Sequence, residues 1–237
     1  MSFNYSPKIA TNGLVLYLDA ANPNSYPGSG TTWSDLSRNS YNGTLTNGPT
    51  FNGLNGGSIV FDGVDDYASF GSAINPTTSF SCGAWINFTS TTLAGSDTAF
   101  LSKWNLSAAS SRNFIFGYRV SGAQKGISFY LYDSSYTQQD NYRTDWNPTT
   151  NVWYHIFGVF SASNFVKIYV NAIEDYSRTS GVYSSLNPNS TENIVSGRLT
   201  GLSYFPGKIA ALTMYNRALS AQEISQNYNA LKNRFGL

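Results

Sequence analysis

Residues 80–88 read Phe-Ser-Cys-Gly-Ala-Trp-Ile-Asn-Phe, and this stretch decides the fold class. Apolar residues recur at every second position: Phe80, Cys82, Ala84, Ile86 and Phe88. A period of two is typical of a β-strand that turns one face toward a core. The same period recurs at 14–19, 113–120, 126–133, 152–160, 165–172 and 208–215, with clusters of Gly, Asn, Ser and Pro between these stretches. The sequence therefore predicts an all-β, two-sheet antiparallel sandwich.

A helical period occurs at the C-terminal end. Ser220 followed by Glu223 predicts a capping box, and an apolar stripe follows at Ile224, Tyr228, Leu231 and Phe235. We expect a short helix over 220–235 that packs on the sandwich, with a partner-binding helix as the alternative. Residues 1–12 precede the first strand without a core-forming pattern, so they are predicted to be an arm that serves for attachment. Residues 13–237 are predicted to form a single domain.

The composition limits the classes of partner. Charged residues make up 11% of the chain, aromatic residues 16%, and the net charge is +1. The polar surface is therefore built from neutral hydrogen-bonding groups and tyrosine rings, which suits contact with sugars or protein subunits. Without a run of Lys and Arg we expect no nucleic-acid partner. We also expect no membrane span and no signal peptide, because neither apolar pattern occurs in the sequence.

Six segments, in this order, resemble the laminin-G-like jelly-roll family of concanavalin A-like sandwiches. They are GLVLYLDA at 13–20, the W-x-D-x-S and N-G-T motifs at 33–37 and 42–44, FDGVDDY at 61–67, the strand 80–88, the stretches 153–156 and 166–171, and the closing segment 208–220. The resemblance implies a jelly-roll sandwich with a short C-terminal helix. Within the family, residues 4–9 and 230–237 resemble versions in virion proteins of tailed bacteriophages.

The resemblance implies a function as well as a fold. It implies a non-catalytic virion structural protein, either a capsid decoration protein or a tail or fibre component, located in the extracellular particle. Its partners would be other virion proteins; adhesion to host or environmental glycans and homo-oligomerisation stay open. The alternative is a lectin-like carbohydrate-binding module of cellular origin.

Catalytic machinery is not evident in the sequence. Glycosidases of this fold resemble one another in a strand that carries alternating carboxylates, whereas Glu174, Glu192 and Glu223 are predicted in a turn, a loop and a helix cap. His155 is the single histidine and Cys82 the single cysteine. We expect a half-buried, hydrogen-bonded histidine and a buried, inert thiol. The chain is therefore not expected to be an enzyme, and we expect no cofactor.

Two clusters are candidates for binding. Asp62, Asp65 and Asp66 could supply oxygen ligands to Ca²⁺, but the favoured interpretation is a tight turn without a metal, in which the carboxylates accept from nearby amides. The second cluster combines aromatic rings with amide side chains, the groups from which sugar-binding grooves are built. Its members are Tyr130, Tyr132, Tyr136, Gln138, Gln139, Asn141, Tyr142 and Trp146. A sugar site, a protein contact and ordinary strand packing remain open for it.

Overall fold

The computed structural model describes residues 8–121, 124–200 and 203–237. Its strands, in chain order, are β1 Leu14–Asp19, β2 Thr32–Trp33, β3 Gly43–Thr46, β4 Thr50–Asn52, β5 Ser58–Asp62, β6 Tyr67–Ser69, β7 Phe80–Phe88, β8 Asp97–Lys103, β9 Phe114–Ser121, β10 Gln124–Tyr132, β11 Gln138–Gln139, β12 Tyr142–Thr144, β13 Trp153–Ser161, β14 Phe165–Val170, β15 Ile173–Arg178, β16 Val195–Ser196, β17 Arg198–Leu199, β18 Ser203–Tyr204 and β19 Pro206–Tyr215. The helix α1 spans Ala221–Leu231, and single 3₁₀ turns lie at Leu54–Gly56, Ala109–Ser111 and Lys232–Phe235.

Two large antiparallel sheets form the sandwich. The first has the order β15-β14-β13-β7-β19-β5-β4, and β1 pairs with the second half of β19. The second has the order β11-β10-β9-β8-β16-β6-β3-β2, with β12 beside β10. A small hairpin of β17 and β18 completes the strands. The predicted all-β, two-sheet architecture is confirmed.

Aromatic side chains fill the space between the sheets. Phe88 of the first sheet meets Phe100 and Tyr118 of the second in edge-to-face contacts, with ring centroids 6.1 and 5.0 Å apart. Phe80 meets Phe129 in the same manner at 5.6 Å. Such pairs contribute about 0.5–1.5 kcal/mol each beyond the area they bury. The large inward residues of the period-two pattern therefore form the main core, as the sequence indicates.

The outer face of the first sheet is covered as well. Every residue of β7 is buried, including the Ser81, Gly83 and Trp85 that alternate with the core residues. Trp85 stacks on Phe235 at 4.3 Å and on Tyr228 at 5.6 Å, so the C-terminal helical segment lies on this face. The capping box of Ser220 and Glu223 begins α1 as predicted. Within the described part of the chain, no helix is long and apolar enough to cross a membrane.

The W-x-D-x-S motif protects the free edge of β1. The Asp35 carboxylate accepts from the backbone amides of Tyr17 at 2.9 Å and Tyr41 at 3.0 Å. Ser37 Oγ donates to the Val15 carbonyl at 2.8 Å, and Trp33 is fully buried. The loop thereby satisfies backbone groups that an uncovered edge strand would expose. The W-x-D-x-S motif therefore has a structural role at the edge of β1.

The strand predicted over 165–172 differs from the structure in where it ends, and the predicted N-terminal arm is described only in part. The strand predicted over 165–172 ends at Val170, because Asn171 and Ala172 adopt positive φ angles of 50° and 66° in a two-residue hairpin turn. Residues 1–7 of the predicted arm lie outside the described residues. Residues 8–12 run along α1: the amide of Ala10 donates to the side chain of Asn227 in α1, and its carbonyl accepts from the hydroxyl of Tyr215 at the end of β19.

Candidate functional site

His155 lies beneath α1, in a different environment from the one expected. The sequence predicted a half-buried, hydrogen-bonded side chain, but His155 is only 3% exposed and its Nδ1 has no partner among the described residues. Its ring lies 5.1 Å from that of Trp85 and 5.9 Å from that of Tyr228. Burial lowers the pKa of the imidazole to about 3. The expectation was wrong because the sequence does not show what covers the outer face of β13.

The cysteine and the glutamates have structural roles. Cys82 is buried, and burial raises the pKa of its thiol well above the ordinary value, as an inert cysteine requires. Glu223 belongs to the capping box and pairs with Arg217. Glu174 lies in β15 rather than in the predicted turn, and it pairs with Lys167 at 2.8 Å. Glu192 accepts from Asn105 at 3.0 Å.

The acidic cluster at 62–66 forms the predicted turn. Asp62 Oδ1 accepts from the amide of Val64 at 2.8 Å, and Asp66 Oδ2 accepts from the amide of Asp62 at 3.0 Å. Burial is the main cause of the raised pKa of Asp66. One carboxylate oxygen of each aspartate lies within 4.8 Å of the others. The turn is confirmed, and the absence of a metal stays a prediction.

The predicted cluster of tyrosines and amides divides into four environments. Trp146 packs at the edge of the main core, 5.2 Å from Tyr154 and 6.1 Å from Phe88. Gln139 and Asn141 are buried and bond to backbone carbonyls. Tyr136 is 38% exposed in a turn. The remaining members, Tyr130, Tyr132, Gln138 and Tyr142, come together on the outer face of the second sheet.

The floor of this face is a buried aromatic cluster, here called the outer-face cluster. It consists of Ala99, Trp104, Ile115, Tyr130, Tyr132 and Leu199. Tyr130 and Tyr132 are only 3% and 2% exposed, so they are not the exposed rings that a sugar groove would need. Burial raises the pKa of both phenols, that of Tyr132 to about 12. The cluster fills the face and gives a rigid base to what lies above it.

Around this floor stand four more accessible polar side chains, here called the rim: Arg119, Gln138, Asp140 and Tyr142. The register places Tyr142 opposite Ser128 and Gln138 opposite Tyr132, on the same side of the sheet. Arg119 Nη1 donates to the Tyr130 hydroxyl at 2.6 Å, and its guanidinium lies 5.8 and 5.9 Å from the ring centroids of Tyr130 and Tyr142. Gln138 bonds to both the Tyr132 hydroxyl and Asp140.

Buried polar atoms that have no hydrogen-bond partner in the described part of the chain lie within the rim and beneath it. Asp97 lies directly opposite Arg119 in the register, and one of its carboxylate oxygens has no hydrogen-bond partner among the described residues. The hydroxyls of Ser128 and Tyr142 also have no partner there. Burial raises the pKa of Asp97, while Ser96 and Arg119 lower it. The accessible rim thus combines a fixed guanidinium, an amide and the Asp140 carboxylate over aromatic rings, whereas the unpartnered oxygens of Asp97, Ser128 and Tyr142 are buried. Such a set can hydrogen-bond the hydroxyl groups of a polyol ligand.

Sequence reasoning missed Arg119 and Asp97. They are 22 positions apart and meet only through the pairing of β8 with β9. The sequence does contain one signal for Arg119, which is the single charged residue in the strand Phe-Ile-Phe-Gly-Tyr-Arg-Val-Ser.

The fold and this face together define a lectin-like β-sandwich. The chain belongs to the concanavalin A-like lectin/glucanases superfamily, whose Laminin_G_3 family matches residues 62–225. No curated protein sequence matches the chain.

Solved structures show the same fold at low identity. Domain 4 of a GH43 extracellular arabinanase from Geobacillus stearothermophilus, in complex with arabinotriose, is 17% identical with a TM-score of 0.69, and the match covers 91% of this chain and 98% of that domain. The binding domain of botulinum neurotoxin DC in complex with SialylT is 14% identical with a TM-score of 0.67, covering 92% of this chain and 51% of that one. Trypanosoma rangeli sialidase in complex with sialic acid is 15% identical with a TM-score of 0.61, covering 95% and 34%. This chain therefore spans about half of the toxin domain and about a third of the sialidase.

Proposed function

We propose that this chain is a non-catalytic glycan-binding module and that it binds through the rim. The observation that carries the proposal is the guanidinium of Arg119, which a hydrogen bond to Tyr130 and two tyrosine rings hold in place. A donor that is already ordered loses little side-chain entropy when it bonds a ligand. The sugar-bound arabinanase domain and toxin domain support the proposal by analogy of fold.

A glycan array with the purified chain tests the binding. Arg119→Gln should lower binding at least about tenfold, equivalent to about 1.4 kcal/mol. Arg38→Gln is the matched control, because Arg38 is exposed and belongs to the loop that lies against β1 of the other sheet. Equal binding by both variants would contradict the rim, and the absence of binding to any glycan would contradict the proposal as a whole. Melting temperatures should show that both variants are folded.

The non-catalytic part rests on where the acidic residues lie. Glu174, Glu192 and Glu223 lie in different elements, and each interacts with a side chain of its own surroundings. A glycosidase needs two carboxylates that flank one glycosidic bond, whereas of the aspartates near the rim Asp97 is buried beneath it and only Asp140 belongs to it. We therefore expect no hydrolysis of any glycan that the array identifies, measured as released reducing ends after prolonged incubation. If reducing ends were released and Asp97→Asn abolished that release, the proposal that the chain is non-catalytic would be overturned.

For its biological setting we propose the virion of a tailed bacteriophage, where the chain would serve as a capsid decoration or as a tail or fibre component. The resemblance of residues 4–9 and 230–237 to phage proteins supports this setting. Mass spectrometry of purified particles would find hundreds of copies for a decoration protein and a few to a few dozen for a tail component. Absence from particles would favour the alternative, a carbohydrate-binding module of cellular origin.

A further inference from the structure

The charges around the rim are unbalanced. Arg119 takes part in none of the ion pairs among the described residues, and neither do Asp97, Asp140 and Asp145. Asp140 and Asp145 are exposed, whereas Asp97 is buried beneath the rim. Burial raises the pKa of the Tyr142 phenol, the carboxylates of Asp97 and Asp145 raise it further, and Arg119 lowers it. At and around the rim, the single guanidinium of Arg119 is therefore outnumbered by the carboxyl groups of three aspartates.

Three neighbouring arginines do not restore the balance, because their side chains are already engaged. Arg143 pairs with Asp175 at 2.9 Å on the side facing the first sheet. Arg112 donates to the backbone carbonyls of Asn105 and Leu106 and lies 5.1 Å from the Trp104 ring centroid. Arg178 donates to the backbone carbonyl of Asp140 rather than to its carboxylate.

We propose that the rim selects neutral glycans and rejects sialylated, sulfated or uronic-acid glycans. This inference rests on the proposed function and names the ligand class of the same site. Arg119 supplies donors and Asp140 supplies an acceptor to neighbouring sugar hydroxyls. An anionic sugar bound across the rim would meet the carboxylate of Asp140, which belongs to the rim, and that of Asp145, which directly follows β12, and like charges disfavour binding. The selection comes from repulsion as much as from hydrogen bonding.

The test uses pairs of immobilised glycans that differ only in a terminal sialic acid or a sulfate. The neutral member of each pair should bind at least about tenfold tighter. Raising the salt concentration from 50 to 500 mM should change neutral binding less than about twofold, since no charge on the ligand is screened. Tighter, salt-sensitive binding of the anionic members would overturn the inference while leaving the proposed function intact. Binding of neither member would instead remove the proposed function.

One variant isolates the repulsion. Asp145→Asn should improve binding of the sialylated glycans several-fold and leave neutral binding unchanged, because Asp145 directly follows β12, three residues after Tyr142, and is not part of the rim. Asp65→Asn removes the same charge from an exposed position in the 62–66 turn and serves as the matched control. Equal effects of the two variants would show that only net charge matters, and would overturn the local explanation.

Discussion

Acidification should destabilise this fold through a single histidine. His155 is neutral and buried between Trp85 and Tyr228, with its Nδ1 unpartnered among the described residues. Its folded pKa of about 3 lies below the ordinary 6.5, so the unfolded chain binds a proton more readily between these two values. The stability of the neutral form is therefore fully present above pH 6.5 and is lost as the pH falls toward 3.

The size of the loss follows from these two pKa values. Each pKa unit corresponds to about 1.4 kcal/mol, which gives a loss of about 2 kcal/mol at pH 5 and about 4 kcal/mol by pH 3. For a chain of this length, 2 kcal/mol lowers the melting temperature by about 4–8 °C. His155 is the only histidine, so no other side chain has an ordinary pKa within the window from pH 5 to pH 7.5.

Urea unfolding at pH 7.5 and pH 5.0 measures the effect. The wild-type chain should lose about 2 kcal/mol more than His155→Phe and His155→Gln between the two pH values. Because each variant is compared with itself, its own packing defect cancels, and carboxylates that titrate near pH 5 contribute equally to all three proteins. Identical pH dependence in the wild type and both variants would refute the reasoning, since it would mean that the imidazole is hydrated in the native state.

Three further predictions concern the fold. Gly83→Ala should cost about 3 kcal/mol, because a Cβ at Gly83 would lie 2.1 Å from the Phe157 ring; thermal melting that matches the wild type would show that α1 can shift. Asp35→Ala should cost about 2 kcal/mol and increase amide hydrogen exchange along the β1 edge, and unchanged exchange would remove its role there. Calcium at millimolar concentration should leave the melting temperature unchanged, whereas a rise that EDTA reverses would show a cation site at the 62–66 turn.

The sequence predicts the elements of this fold well because their signals are local. Period-two alternation is a property of consecutive residues, so β7 was found with its observed bounds of Phe80–Phe88. The capping box of Ser220 and Glu223 needs only four residues, and it marked the start of α1 correctly. The end of β14 was misplaced because positive φ angles at Asn171 and Ala172 leave little trace in residue type at Ala172.

What covers each sheet could not be predicted in the same way. The alternation in β7 identifies the residues that face the core, but it cannot show that Trp85 on the opposite face meets Phe235, which lies 150 positions later. The surroundings of His155 depend on that same contact. Burial of both faces is a tertiary property, and the pattern within one strand contains no information about it.

For the candidate site, too, the sequence identified the stretch of chain but not which of its residues are buried in the floor and which are accessible in the rim. The stretch 130–146 drew attention through its four tyrosines, yet Tyr130 and Tyr132 form the buried floor, Tyr136 lies in a turn, and only Tyr142 belongs to the rim. Because the floor is filled, the described residues of this face form no deep groove for a polymer chain, and a ligand would contact the rim from above through a few sugar units. Such shallow contacts give weak affinity for one copy, whereas many copies on one particle would bind a glycan surface tightly through effective concentration. A shallow neutral-glycan rim therefore fits best with a protein that is displayed in many copies, which connects the proposed ligand class to the proposed setting.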